Sequence, residues 1–491
     1  MAGVGFELKK LFARKGLMAT LRAYGYSGVI CAGPMLLGVL MQIGIQMLCM
    51  AFGRSAHERE LLVCMVTYSL LASLTVTSTL SMVVTRFLAD MLYEERHGAI
   101  MPSFWGSTGL MLAIGSVLYG IFLCLSGARP FHRFLCFMLF GELAVVWNAM
   151  SYLTAIKDYG GILRSFAAAV LVSLVLSGVG LYVGLPTVDV VLAAVCAGYG
   201  VMMVWDVSIL YSVFPSSEES MFLFLEWVDQ FMPLALTGFL LNLGLFGHLI
   251  VMWLGPLQVQ VEGLFVGAPS HDVPALLAFL TILVTTINFV VSVEVNFYPK
   301  YRVYYALFNE KGNIGDILQA EKEMLAVLKS EMWYTGLKQL FATALSVALG
   351  GVVLMQLPLG MNDMMLGYFR TLCVGYGLYA IGNTALLLLL YFTDYAGAQA
   401  CSALFAGSTI ALSLLSLLGD PVYFGFGFLL GSALFFMAAV LRLEWFTRRL
   451  PYYILSCQPV VAQDKSGFFT RMGGLLHQHL EVEPVWRRFK K

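Results

Sequence analysis

The chain has 491 residues, 59% of them hydrophobic and 12% charged, with 29 basic and 29 acidic side chains that give a formal charge of zero. A soluble domain carries roughly 25% charged residues, and a water-facing fold of this length could not hide so much apolar surface. The composition therefore excludes a soluble enzyme or a soluble nucleic-acid-binding domain and requires a medium that is itself apolar. The 48 glycines suit close helix contacts in lipid.

In chain order, residues 1–22 read as a cytoplasmic amphipathic N-terminal segment. Val4, Leu8, Leu11 and Phe12 can share one helical face, with Lys9, Lys10, Arg14 and Lys15 elsewhere on it. These charges, Glu7 and the missing small-x-small cleavage site argue against a secretory signal. A helix needs about 20 apolar residues to cross about 30 Å of hydrocarbon, and none of its backbone polar groups can stay unpaired there. Runs that satisfy this lie at 23–52, 61–89, 103–126, 134–156, 165–185 and 190–213, then at 222–254, 274–297, 335–357, 365–391, 398–419 and 422–446. The reading is an all-α polytopic membrane protein of about 12 transmembrane helices in two six-helix bundles, 23–213 and 222–446.

Orientation follows from lysine and arginine. With the N-terminus inside, 24 of the 29 basic residues fall on the cytoplasmic side, leaving Arg54, Arg59, Arg129, Arg133 and Arg370 outside. Both termini are then cytoplasmic. The second bundle carries a cytoplasmic insertion, 298–334, in which Ile314 to Leu328 has a helical apolar pattern. The outward connection 255–273 is punctuated by Gly and Pro and reads as a loop or short surface helix. The tail, 447–491, is basic and too polar to cross; its end, Trp486 to Lys491, suits anionic headgroups or an acidic partner, or is a solubilising tail. Pro34 and Pro233 sit early in the first helix of each half, where they predict matching kinks. Two six-helix halves with irregular helices suit alternating access, although no residue-level repeat links them.

Charges inside the spans are costly and need a partner, an aqueous cavity or an interfacial position. The candidate cavity or coupling residues are Arg86, Glu142, Asp206, Glu226, Asp229 and Glu294; Lys157 and Asp158 read as loop charges. Gln42, Gln46, Asn148, Gln230, Asn242, Asn288, Asn296, Asn383 and the Ser/Thr-rich run Ser69 to Ser81 either glue helices together or wet an interior. Trp147, Trp205, Trp227 and Trp253 either stack on sugars or belong to interfacial belts. The cysteines are scattered singly and read as packing residues. There is no P-loop, HExxH, CxxC or DxD-type metal site, so no catalytic residue, cofactor or metal is expected, and transport is the default function.

The opening Gly3-Val4-Gly5-Phe6-Glu7-Leu8-Lys9-Lys10-Leu11, then Leu21-Arg22-Ala23-Tyr24-Gly25-Tyr26-Ser27-Gly28, Gly33-Pro34 and Asn296-Phe297-Tyr298-Pro299-Lys300-Tyr301 resemble the PelG family of Pel exopolysaccharide export proteins. That family is similar to the multidrug/oligosaccharidyl-lipid/polysaccharide flippase superfamily. The resemblance implies two bundles around a cavity in the inner membrane of a Gram-negative bacterium. It also implies export of a nascent polymer rich in N-acetylgalactosamine, with the glycosyltransferase PelF, the cyclic di-GMP receptor PelD and PelE as partners. No family motif assigns roles to particular residues, so the six candidates rest on their chemistry. An ion-coupled flippase of lipid-linked oligosaccharide, a small-molecule antiporter and a structural scaffold of the synthase complex are the alternatives.

Overall fold

The computed structural model describes residues 17–156, 158–215, 217, 219–309, 312–356, 360–456 and 467–480. The amphipathic face expected in 1–16 and the basic end 481–491 lie outside the described residues. Twelve described helices are long and apolar enough to cross a membrane. Most carry one expected span each: α1 (Leu17–Ala51), α2 (Ala56–Tyr93), α3 (Ile100–Leu125), α4 (Pro130–Ile156), α5 (Tyr159–Val183) and α6 (Thr187–Val213) in the first half. The second half runs through α7 (Leu225–Gln230), α8 (Met232–Met252), β1 (Val259–Glu262), β2 (Phe265–Gly267), α9 (Pro269–Phe279), α10 (Leu283–Val291) and α11 (Tyr298–Asn309). It continues with α12 (Ile314–Leu354), α13 (Asp363–Tyr391), α14 (Tyr395–Ser416), α15 (Phe426–Thr447), α16 (Leu450–Ser456) and α17 (Phe468–Leu480).

Three expectations need correction. The seventh span does not begin at 222. Pro233 has no N–H to bond the carbonyl of Asp229, and its ring would collide with that carbonyl, so the helix stops at Gln230 and restarts at Met232. Glu226 and Asp229 consequently lie on the short α7, ahead of the span. The connection 255–273 is more than a loop: it contains a β-hairpin with its turn at Gly263, where φ is +58°, and ends in the first residues of α9. An alanine Cβ there would lie 1.8 Å from Ser126 O, so the turn requires glycine for its backbone and for its fit against the end of α3.

The insertion 298–334 is largely the ends of two helices. The eighth span passes from α9 through a 3₁₀ turn, α10 and a π-helical stretch, Ser292–Phe297, into α11. The ninth begins at Ile314 as the 41-residue α12. Lys300 Nζ on α11 reaches Glu323 Oε2 at 2.8 Å, and Asn296 Nδ2 in the π-helical stretch reaches Glu331 Oε1 at 2.8 Å, so α11 and the turn before it run antiparallel to α12.

The chain divides into two compact units: residues 40–242, 260–266 and 456–491 in one, and residues 1–39, 243–259 and 267–455 in the other. Inside the first, hydroxyls of the Ser69 to Ser81 run bond their own helix, as Ser69 to Met65 O at 2.9 Å and Thr77 to Ser73 O at 2.8 Å. Others cross to neighbours: Ser69 to Tyr119 at 2.9 Å, Ser81 to Ser151 at 3.1 Å, and Asn148 Nδ2 to Ser107 and Thr108 at 2.9 and 2.8 Å. These groups glue helices. In the second unit the same work falls to Thr285, Gln339 and Thr343, joined through Gln339 at 2.6 and 3.1 Å.

A residue-level repeat does emerge at the helix starts. Asp158-Tyr159-Gly160-Gly161 opens α5, and Asp394-Tyr395-Ala396-Gly397 opens α14. Both aspartates are N-caps, accepting from Gly161 N at 2.8 Å and Gly397 N at 3.1 Å. A Cβ on Gly397 would lie 2.1 Å from Asp394 Oδ2 and 2.4 Å from Arg442 Nε, whereas one on Gly407 would meet nothing within 4 Å. Gly397→Ala should therefore destabilise the protein by about 1–3 kcal/mol, and Gly407→Ala should not. Thermal melts of the purified variants check this; equal midpoints would show that the cap tolerates a methyl group.

Candidate functional site

The unit built on 40–242 carries a groove of about 740 Å³ along one face of α6, lined by Gly200, Val201, Val204, Trp205, Ser208 and Ser212 among others. Positions 197, 201, 204, 208 and 212 recur at helical spacing, so one face of one helix supplies the wall. Trp205 is 41% exposed there. The indole of Trp205 and the two serine hydroxyls give this open groove an apolar wall with a few polar groups.

Glu142, on α4, borders this helix. Its Oε1 lies 3.3 Å from where a Cβ of Gly200 would stand, so glycine leaves room for the carboxyl beside α6. The other oxygen, Oε2, is buried and has no hydrogen-bond partner. Asp206 is on the same helix but away from the groove: it is fully buried, and neither of its oxygens is hydrogen-bonded. One acid beside α6 and one on it thus carry unsatisfied oxygens, an expensive arrangement in hydrocarbon.

Arg86 and Asp229 belong to a different corner of the same unit. Arg86 pairs with Asp90, one turn on, through Nη2 at 3.0 Å and Nε at 3.1 Å, and its guanidinium lies 5.4 Å from the ring centroid of Phe231. Asp90 also accepts from Trp227 Nε1 at 2.8 Å, which ties α2 to α7. From α7, Asp229 caps α17 from a distance in sequence: it accepts from Phe469 N at 3.2 Å and from Thr470 N and Oγ1, both at 2.7 Å. Gly467 is required beside it, since a Cβ there would come within 2.3 Å of the carboxyl carbon. Burial raises the Asp229 pKa, but the bonds from Thr470, Phe469 and Gly467 together outweigh burial and hold it below the ordinary aspartate value. Glu226 is half-buried one turn earlier on α7. Glu294 lies in the π-helical stretch, and its side chain is outside the described residues.

The tryptophans divide by role. Trp147, Trp227 and Trp253 donate their indole N–H to Ser73, Asp90 and Asp272 at 3.1, 2.8 and 2.8 Å, and so brace helices; Trp205 lines the groove. Two clusters in the other unit escape a reading of the sequence. Asp394 and Arg442 form a two-bond ion pair at 2.7 and 2.9 Å, signalled only by the repeated Asp-Tyr-x-Gly. His248 and His271 stack edge-on at 5.5 Å, both buried, with no ring nitrogen in hydrogen-bond geometry; they come from different elements and no spacing announces them. Among the described residues no three His, Cys, Asp or Glu side chains converge as metal ligands, and of the seven cysteines described there, none in a disulfide, all but Cys124 are buried.

The sequence model of the PelG exopolysaccharide exporter family (EPS-E) matches residues 1–455. The chain belongs to that family. No curated protein matches the chain in sequence. In fold, this PelG-family chain is similar to an inward-facing multidrug resistance MATE family transporter of the MOP superfamily, with TM-score 0.57 and 12% identity over 88% of this chain and 100% of that one. A MOP superfamily transporter from Pyrococcus furiosus gives TM-score 0.58 and 13% identity over 92% and 99%. A mutant of the Vibrio cholerae MATE transporter VcmN gives 0.59 and 13% over 91% and 99%. The PelG-family chain is thus a multi-pass membrane protein with a MATE-like transporter fold, and family and fold point to transport rather than catalysis.

Asp229→Ala should release α17: amides of 468–480 should exchange hydrogen at least about tenfold faster, the loss of roughly 1.5–3 kcal/mol for hydrogen bonds to a charged acceptor, while those of α8 stay protected. Because the folded pKa is depressed, this anchoring is complete above the ordinary aspartate value of about 3.9 and fades as pH falls below it. Protection of α17, expressed relative to the intrinsic exchange rate at each pH, that is unchanged between pH 7 and pH 3 would count against Asp229 as the anchor.

Proposed function

We propose that this protein is an inner-membrane transporter that moves a nascent N-acetylgalactosamine-rich exopolysaccharide, Pel, from a cytoplasmic glycosyltransferase to the periplasm. The match of the exporter family over residues 1–455 carries this reading. The α6 groove supports it: an exposed indole can stack on a sugar face, Ser208 and Ser212 can exchange hydrogen bonds with its hydroxyls, and each contact is weak enough for a polymer to slide. In this reading PelF polymerises the sugar and hands it over, with PelD and PelE assembled on the same complex. The N- and C-termini are cytoplasmic, as the distribution of lysine and arginine implies. Elongation supplies the push.

A second reading is an ion-coupled flippase of lipid-linked oligosaccharide. The MATE-like fold favours it, together with two acids that present unsatisfied oxygens beside α6. Photo-crosslinkers at Ser208, with synthesis under way in membranes, separate the two. Long polymer attached at Ser208 supports the conduit, a short lipid-bearing glycan supports the flippase, and no adduct beside active export rejects the groove as the path. Trp205→Ala should lower export roughly three- to tenfold, the loss of about 1 kcal/mol of stacking. Glu142→Gln should leave export unchanged over a pH series if elongation drives transport, and should abolish its pH dependence if Glu142 couples it to protons.

A further inference from the structure

The β-hairpin belongs to the second half of the sequence, yet its residues 260–266 pack with residues 40–242. Its apolar anchor is Phe265, fully buried, with the rings of Tyr68 and Phe122 at 5.3 and 5.4 Å. Leu264 N donates to Ser126 O at 2.9 Å, and Val266 O accepts from Tyr68 OH at 3.0 Å. Glu262 adds a charged contact: Oε1 accepts from Arg129 N at 3.1 Å, and Oε2 lies 3.8 Å from Nδ1 of His132. Through Nε2 the same ring holds Asp189, in the first turn of α6, at 2.7 Å. The ring is 3% exposed, between carboxylates that are 30% and 25% exposed.

A neutral imidazole has one N–H and one lone pair, and an ionised carboxylate only accepts. The 2.7 Å contact with Asp189 therefore places the N–H on Nε2 and leaves the lone pair on Nδ1, 3.8 Å from a second acceptor. Nδ1 is buried and has no hydrogen-bond partner. A proton on it makes the ring a donor at both nitrogens, and a movement of about 1 Å then brings Nδ1 and Glu262 to the length of a charge-assisted bond. Both carboxylates reach the surface, so the proton need not cross hydrocarbon.

The elements packed here bring other ionisable groups: Cys64 and Tyr68 from α2, Tyr119 from α3, Cys196 from α6, and Arg129, Arg133 and Cys136 at the start of α4. Cysteine and tyrosine ordinarily titrate at about 8.5 and 10 and arginine stays charged, whereas histidine changes charge between about pH 5 and 8. At the start of α2, Arg54 is tied to Leu181 O at 3.2 Å, Glu58 to Ser55 at 2.9 Å, and His57 is exposed. We infer that His132 is a proton-operated latch for the hairpin: a proton on Nδ1 bridges Asp189 and Glu262 and clamps the hairpin to α4 and α6, and loss of that proton loosens it. In the orientation proposed above this end faces the periplasm; the latch depends neither on that orientation nor on which substrate the protein moves.

Hydrogen exchange of the purified full-length chain in detergent tests it, with protection expressed relative to the intrinsic rate at each pH. From pH 8 to pH 5 the amides of 260–266 should become about tenfold more protected, the worth of one hydrogen bond between charged groups, while amides in the middle of α4 stay level. His132→Gln keeps a donor for Asp189 but cannot take the proton, and should lose the response; His57→Gln should keep it. Glu262→Gln can donate its amide to the lone pair on Nδ1, and its hairpin should be equally protected at both pH values. Protection in the unaltered protein that is level or falls from pH 8 to pH 5, a full response kept by His132→Gln or by Glu262→Gln, or a response lost in His57→Gln would each overturn the latch.

Discussion

A helix that begins at the edge of hydrocarbon has N–H groups with nothing to bond, and in lipid no water can stand in for the missing partner. The architecture depends on how those first turns are satisfied. Ser55, Asp158, Asn313, Asn362 and Asp394 each turn a side-chain oxygen back onto the helix they precede. Asp229 does the same for a helix more than two hundred residues away. Where the caps are charged, the local solution creates a second problem, because the carboxylate itself must be neutralised. Arg442 answers it in one repeat, and the position that matches Arg442 in the other repeat, 48 residues past the cap, holds the acid Asp206.

The same economy explains why so many polar residues inside the spans have no part in a pathway. Most serine and threonine hydroxyls bond the carbonyl one turn back on their own helix and cost little to bury. The asparagines and glutamines reach one or two helices away and fix contacts that apolar side chains would leave free to slide. Against this background the unbonded oxygens of Glu142 and Asp206 stand out, since their neighbours show that satisfying a buried group is well within this fold's means.

Much of the architecture was legible in the sequence, because crossing hydrocarbon demands long apolar runs and few other structures can meet that demand. The runs at 61–89, 134–156 and 365–391 each fall within a single helix, and the family follows from motifs at 3–11 and 296–301. What stayed hidden depends on contacts between distant residues. The hairpin at 259–267 is held by the end of α3, and nothing in its nine residues outweighs the Gly and Pro around them. Asp229 reads as an acid on a membrane helix until Pro233 is seen to break that helix and Thr470 is found beside it. Of the site, Glu142, Asp206 and Trp205 were visible as residue types out of place; Gly200, whose missing side chain makes room for Glu142, was not.

The length of α12 has a mechanical consequence. Its 41 residues extend about 60 Å, roughly twice the hydrocarbon thickness. The exposed Trp333 and Tyr334 precede the exposed apolar stripe of Leu337, Leu340, Phe341 and Leu345, as interfacial aromatics do. The turns from Ile314 to Met332 then stand clear of the bilayer as a strut about 28 Å long, braced by α11 through Lys300–Glu323 and by the π-helical stretch before it through Asn296–Glu331. A braced helix of fixed pitch behaves as a ruler. Whatever grips its tip is held at a set height and angle above the lipid, and a deletion of three or four residues would lower it by one turn while nearly preserving the face it presents.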